Sequence, residues 1–299
     1  MSAIVKAAAV QISPVLYSRA GTVEKVVMKI RELGKQGVQF ATFPETVIPY
    51  YPYFAFVQPA FAMAKEHLRL LEQSVTIPSA ETRAIGEAAK EANMVVSIGV
   101  NERAGDTIYN TQLLFDADGT LIQRRRKIMP TYHERMVWGQ GDGSGLEAAE
   151  TQHGRIGGLI CWEHWMPLAR QAMHNAGEHI HVAVWPTAHD LHHLASRHYA
   201  FEGRCFVLCV GLIMAARDLP RELQRPRGKK NSLLCRGGSA IFAPDGRCLA
   251  GPVFDREAIL TADLDLAEID QEKMTLDVSG HYARPDVFEF GIRVKQRTA

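Results

Sequence analysis

Two hydrophobic rhythms alternate along this chain, and that alternation restricts it to sheets covered by helices, an α/β or α+β architecture. Ile4 to Ile12 is an apolar run that reads as a buried strand; Val23, Val26, Val27, Ile30 and Leu33 then recur at helical spacing until Gly34 supplies a stop. Val38 to Phe43 gives a second strand. Ser79 can cap a helix running to about Asn93, and Met94 to Val100, rich in β-branched residues, follows as another strand. Further runs at Ile156–Cys161, His181–Trp185, Val207–Met214, Ser239–Phe242 and Ile259–Leu264 continue the pattern. With 299 residues and 46% hydrophobic content the chain can bury one large core, so a single domain over residues 1–299 is expected.

One segment echoes another. Phe115-Asp-Ala-Asp-Gly-Thr-Leu121 and Phe242-Ala-Pro-Asp-Gly-Arg-Cys-Leu249 each set an Asp-Gly turn between strand-like stretches, which predicts two hairpins and suggests two similar half-sheets packed together. The stretch Arg217 to Asn231, rich in Lys and Arg and broken by two prolines, reads as a solvated surface loop.

A formal net charge of +1 provides no field to draw nucleic acid or an anionic membrane, leaving small molecules or proteins as partners. No apolar stretch reaches the length of a membrane span, and Met1 to Ile12 lacks a secretory cleavage site, so a cytoplasmic location is expected. The five cysteines, Cys161, Cys205, Cys209, Cys235 and Cys248, form no CxxC pair, which argues against a disulfide framework or structural zinc.

Three segments carry groups suited to chemistry. Cys161 closes a strand just before a turn and a helix, a place that exposes a thiol and aims backbone N–H groups at whatever it attacks; a small buried residue at a strand end is the plain alternative. Glu45, in Phe43-Pro-Glu-Thr46, ends another strand beside the aromatic stretch Tyr50 to Phe54, where a carboxylate can take a proton from a thiol or water, although a surface acid would look the same. In Arg124-Arg-Arg-Lys127, strand alternation sends Arg125 and Lys127 to one side and Arg124 and Arg126 to the other, so one ammonium can face a pocket, with Glu134 placed to orient it.

Taken together, Phe43-Pro-Glu-Thr46, Arg125 to Glu134, Val137-Trp-Gly-Gln-Gly-Asp-Gly143 and Cys161-Trp-Glu-His164 occur in the order and spacing of the nitrilase superfamily. They closely resemble its true nitrilase branch, over about Ala7 to Phe288 and including Gly280-His-Tyr-Ala-Arg-Pro-Asp286. The resemblance implies a four-layer α-β-β-α sandwich. It implies Glu45 as general base, Lys127 as catalytic lysine, Cys161 as nucleophile and Glu134 as a second, structural glutamate. It further suggests Tyr51, Phe56, Trp138 and Trp162 as pocket residues, though plain core is an equal reading for such aromatics. The implied partner is a small nitrile, hydrolysed to acid and ammonia without metal or cofactor. Many true nitrilases extend further at the C-terminus, so long spirals are not expected, whereas a dimer or larger closed homo-oligomer is, with residues 281–299 as a candidate contact.

Other readings compete. An amidase or N-carbamoyl hydrolase would use the same triad, and a catalytically silent scaffold would keep the fold alone. His189, His192, His193 and His198 have spacing that zinc could use, the mark of a metallohydrolase, but no acid or cysteine completes the set. Gly139 to Gly145 lacks the strand and the Lys-Ser/Thr ending of a phosphate loop and reads as a flexible loop over the active site. Residues 189–231 look unlike the rest of the branch, which makes them candidates for setting substrate choice.

Overall fold

The computed structural model describes residues 4–220, 223 and 233–294. Among them the apolar runs become strands β1 (Ile4–Gln11), β2 (Phe40–Thr42), β3 (Val95–Ala104), β4 (Thr107–Phe115), β5 (Leu121–Arg126), β6 (Ala149–Thr151), β7 (Gly154–Ile160), β8 (Ile180–Trp185), β9 (Phe206–Gly211), β10 (Ile213–Ala215), β11 (Leu233–Phe242), β12 (Cys248–Phe254) and β13 (Ala258–Asp265). The helices are α1 (Arg19–Lys35), α2 (Phe54–Val57), α3 (Ala64–Gln73), α4 (Ala80–Ala92), α5 (Pro167–Asn175), α6 (Asp190–Gly203) and α7 (Ala267–Lys273). Ser79 caps α4 by accepting from the Thr82 N–H, and Asn93 closes it in the left-handed conformation.

The strands form two sheets, one ordered β13-β1-β2-β3-β4-β5 and the other β10-β11-β9-β8-β7-β6, with β12 paired to β11. Both expected Asp-Gly hairpins are present, as β4–β5 and β11–β12. Side chains alternate across β1: Ala8 and Val10 pack with Val26, Ile30, Ile85 and Ala88 of α1 and α4, while Val5, Ala7 and Ala9 meet the second sheet at Val207, Ala240 and Ile241. That second cluster continues to Met173 of α5 and Tyr199 of α6. The order is therefore helix, sheet, sheet, helix, the four-layer sandwich expected from the resemblance.

The run Val207–Met214 does not stay one strand. It breaks at Leu212, whose N–H bonds to the Pro186 carbonyl instead of the ladder, so β9 runs parallel to β8 and β10 pairs separately with β11. Most of the basic stretch 217–231 lies outside the described residues. Among the described residues, no helix is long and apolar enough to cross a membrane.

The parallel pairs β1–β2–β3 and β7–β8–β9 leave their carboxyl ends free to carry a site. Beyond β2, the chain through Pro44, Glu45 and Thr46 lies directly on Gly99 of β3, where any Cβ would run into the Pro44 carbonyl and the Thr46 N–H. Gly99→Ala should therefore push the Glu45 segment off the sheet and cost about 1–3 kcal/mol. A lowered urea midpoint would show it, and a midpoint equal to that of the native protein would refute the packing argument.

Candidate active site

Three strand ends meet. The alternation read in Arg124-Arg-Arg-Lys127 holds: Arg125 and Lys127 are buried, while Arg124 and Arg126 turn to the other face and pair with the buried carboxylate of Glu102. Lys127 follows β5, its N–H held by the Asn110 carbonyl of β4 at 2.8 Å. Glu45 follows β2. Cys161 is the first residue after β7 and opens a 3-10 turn, Cys161–Trp165, before Pro167 starts α5. Its φ of 55° places the nucleophile candidate in the left-handed region, the sharp turn that lifts a side chain off a strand end.

The Lys127 ammonium sits between two carboxylates, 3.1 Å from Glu45 Oε1 and 2.7 Å from Glu134 Oε2. One carboxylate oxygen of Glu45, one of Glu134 and the Cys161 sulfur lie within 4.8 Å of one another, and all three residues are buried. Glu134 is fully engaged: Oε2 also accepts from the Thr131 N–H at 2.7 Å, and Oε1 accepts from the Tyr51 hydroxyl at 2.6 Å. Glu45 is not. Its Oε1 accepts from Asn110 Nδ2 at 2.7 Å and from Lys127, but Oε2 is buried without any hydrogen-bond partner. Burial pushes the Glu45 carboxyl up to about 7 against the opposing pull of Lys127, with Glu134 adding to the rise. Burial likewise raises the Cys161 thiol well above its ordinary value, and Glu45 raises it further; the Lys127 ammonium and the Trp162 backbone N–H act in the other direction. The resting thiol therefore keeps its proton, and attack requires a base within reach.

The Carbon-nitrogen hydrolase family model matches residues 6–274. The chain belongs to this family. Over 298 residues it is 54% identical to Nitrilase 3 of an unknown prokaryotic organism, covering 97% of this chain and 90% of that protein. It is 39% identical to an aliphatic nitrilase of Rhodococcus rhodochrous, with 98% and 84% covered. The crystal structure of a carbon-nitrogen hydrolase from Helicobacter pylori G27 shares the fold, with a TM-score of 0.75 at 19% identity over 95% of this chain and 97% of that one. These relatives place the chain in the nitrilase branch of the superfamily.

Other residues of this carbon-nitrogen hydrolase fall where its sequence could not place them. Cys161 opens into a cavity of about 390 Å³ whose lining includes Tyr51, Phe56 and Trp162 together with Thr187, His189, His192 and Cys235. Trp138, expected beside them, does not reach it. The indole is buried edge-on to Tyr51, donates from Nε1 to Asn101 Oδ1 at 2.8 Å, and lies 5.6 Å beneath the Lys127 ammonium. Gly139 to Gly145 does not cover the active site either: Gly141 N–H bonds to the Lys127 carbonyl at 2.8 Å and Gly145 packs on Arg125, so this segment braces the end of β5. The histidines 189, 192, 193 and 198 do not converge as a metal-ligand group among the described residues; His193 Nε2 is spent on the Gly238 carbonyl at 2.6 Å.

Glu163 is the residue that sequence reasoning passed over. It is buried two positions after the thiol, accepts from the Ile160 and Ile128 N–H groups at 2.7 and 2.6 Å, and pairs with Arg125 Nη2 at 2.5 Å. One carboxylate thus ties the turn of Cys161 to the strand of Lys127. An acid three residues after the last strand residue is the available signal, because it can reach back to an N–H as capping glutamates do. Glu163→Gln leaves the buried Arg125 guanidinium without its anion and should cost about 3–5 kcal/mol. Urea unfolding measures this, and a loss below about 1 kcal/mol would show that the pair is dispensable.

Proposed function

We propose that this hydrolase converts an organic nitrile to the carboxylic acid and ammonia, with Cys161 as nucleophile, Glu45 as general base, Lys127 as electrostatic catalyst and Glu134 as its anchor. The observation that carries the reading is the unpartnered Glu45 Oε2, beside a protonated thiol and a fixed ammonium. Glu45 takes the thiol proton and the thiolate adds to the nitrile carbon. Lys127 and the Trp162 N–H stabilise charge on nitrogen as a thioimidate forms. A water activated by Glu45 adds next, ammonia leaves, and a second water hydrolyses the thioester to the acid. The thiolate and the ammonium perform these steps without calling on a metal.

The aromatic walls of Tyr51, Phe56 and Trp162 suit a small organic group, with Trp138 acting from behind by backing Tyr51 and Lys127. The chain acts as one domain, since both sheets contribute to the one cluster. A cytoplasmic location is part of the same proposal, in keeping with the lack of any described helix long and apolar enough to cross a membrane. Exposed Leu168, Leu191 and Leu194 on α5 and α6 support assembly into a homo-oligomer, to which the partly apolar tail from residue 281 can add.

An amidase would draw on the same groups, so the test compares aliphatic, arylaliphatic and aromatic nitriles with their matching amides, reading ammonia release. Preference for the nitriles supports the proposal, and turnover of amides alone overturns it. Cys161→Ala should abolish turnover, and Glu45→Gln or Lys127→Ala should lower it by about 10² to 10⁴-fold. Turnover surviving in Cys161→Ala is incompatible with a covalent route. Because Glu45 must be ionised to act and its carboxyl titrates at about 7, kcat/KM should rise with pH along a limb centred near that value. A limb centred in the ordinary carboxylate range near 4.5 would show that another group supplies the base.

A further inference from the structure

Beneath the Cys161 turn, between the second sheet and helices α5 and α6, runs a buried file of polar side chains that the reaction above does not use. Tyr199 of α6 donates its hydroxyl to Glu178 Oε2 at 2.5 Å, and Glu178 Oε1 lies 2.8 Å from His181 Nδ1. His181 Nε2 lies 3.0 Å from His164 Nε2, and His164 Nδ1 lies 2.7 Å from the Cys161 carbonyl oxygen. Glu178, His181, His164 and Tyr199 are all buried. Position 157 of β7 is a glycine, and any Cβ there would collide with the Glu178 carboxylate, so the strand is bare where the file passes.

Proton counting fixes its polarity. A carbonyl can only accept, so His164 Nδ1 carries a hydrogen and its Nε2, in a neutral ring, is an acceptor. His181 must then donate from Nε2, which leaves its Nδ1 without a hydrogen and facing a carboxyl group. The proton between them belongs to Glu178: burial pushes that carboxyl up to about 8, against Tyr199, His174 and Arg125, and holds both His181 and His164 well below the ordinary histidine value. His174 and Arg125 face His181, and His181, Arg125 and Arg170 face His164; each of these neighbours further disfavours an imidazolium, while Glu202 engages His174 and Arg170. Every donor therefore points the same way, from Tyr199 and Glu178 towards the nucleophile.

The file ends on one particular peptide unit. The Cys161 carbonyl that accepts from His164 and the Trp162 N–H that faces the Cys161 sulfur belong to the same amide. Accepting a hydrogen bond at the oxygen strengthens the donor at the nitrogen, by about 10–30% per bond, and fixes the plane in which that N–H points. We infer that Tyr199, Glu178, His181 and His164 are positioning residues, a neutral hydrogen-bonded chain that polarises and aims the Cys161–Trp162 peptide at the charge developing during attack. The inference rests on the proposed thiol chemistry of Cys161 and adds four residues to it.

Two polar replacements at one position separate this role from simple support. Asparagine places an N–H near the Nδ1 site and keeps the bond to the Cys161 carbonyl; glutamine reaches the Nε2 site and keeps only the contact with His181. The best nitrile from the substrate panel gives kcat and KM. Iodoacetamide gives the rate of Cys161 alkylation against pH, followed on the Cys161 peptide by mass spectrometry. His164→Gln should lower kcat about tenfold with KM changed less than about twofold, and should move alkylation to higher pH, whereas His164→Asn keeps most of both. At the far end, Glu178→Gln can still donate to His181 and accept from Tyr199 and should resemble the native enzyme, while Glu178→Leu should follow His164→Gln. Circular dichroism and melting temperature separate folding from chemistry. Equal kcat and alkylation profiles in the two His164 variants overturn the inference, as does Glu178→Gln falling as far as Glu178→Leu. Should no nitrile or amide turn over, the functional proposal fails and the alkylation profiles alone decide this one.

Discussion

An ammonium shut away from water is the constraint from which the site follows. Desolvating Lys127 is costly unless anions meet it, and Glu45 and Glu134 do so from two sides. Two carboxylates around one cation leave a negative charge in excess where burial penalises it. The structure resolves the excess unequally: Glu134 is held by three donors, whereas Glu45 keeps a bare oxygen and a carboxyl raised to about 7. Moving a proton from the Cys161 sulfur to Glu45 then relocates charge within the cluster instead of creating it. The same burial that makes the thiol a poor acid does not oppose that transfer.

Holding such a cluster requires parts from both sheets. β5 leads into Lys127, and of the three arginines before it Glu102 draws Arg124 and Arg126 to the opposite face, which leaves Arg125 alone on the buried side. Arg125 is answered by Glu163 from the second sheet, and the same carboxylate fastens the turn that presents the thiol. One carboxylate outside the Glu45–Lys127–Glu134 cluster thus joins the turn of Cys161 to the strand that leads into Lys127. Replacing Glu163 tests stability and geometry together for this reason.

Much of this could be read from the residues. Period-two alternation in Arg124 to Lys127 correctly divided four consecutive cations between two faces, because a strand leaves no choice. The Asp-Gly hairpins, the Ser79 cap and the strand end at Cys161 were legible because each depends on local backbone chemistry. What stayed hidden depends on tertiary contacts. Nothing local distinguishes Trp138, buried behind Tyr51, from Trp162, which reaches the cavity, and nothing in residues 207–214 announces that Leu212 will bond to Pro186. Asn110, which fixes Glu45, is one polar residue in a strand, and Glu178 meets His164 only through His181. The family resemblance implied roles for Glu45, Lys127 and Cys161; it was silent on the buried groups around them.

Backbone strain also falls beside these groups. Non-glycine residues with positive φ include Thr46, next to Glu45, Tyr132, between Lys127 and Glu134, and Cys161 itself, at 41°, 47° and 55°. Each such residue costs about 1–3 kcal/mol and persists only where its surroundings overdetermine it. At Cys161 the surroundings are visible: Glu163 binds the N–H of Ile160 just before the turn, and His164 binds the carbonyl of Cys161 just after the thiol-bearing carbon. Both holders lie within the same five-residue turn, Cys161–Trp165, as the proposed nucleophile, and each is itself anchored by a group from another element, Arg125 for Glu163 and His181 for His164. The short segment Cys-Trp-Glu-His therefore serves as one device, in which two residues supply thiol and N–H and the next two hold the strained peptide between them in place.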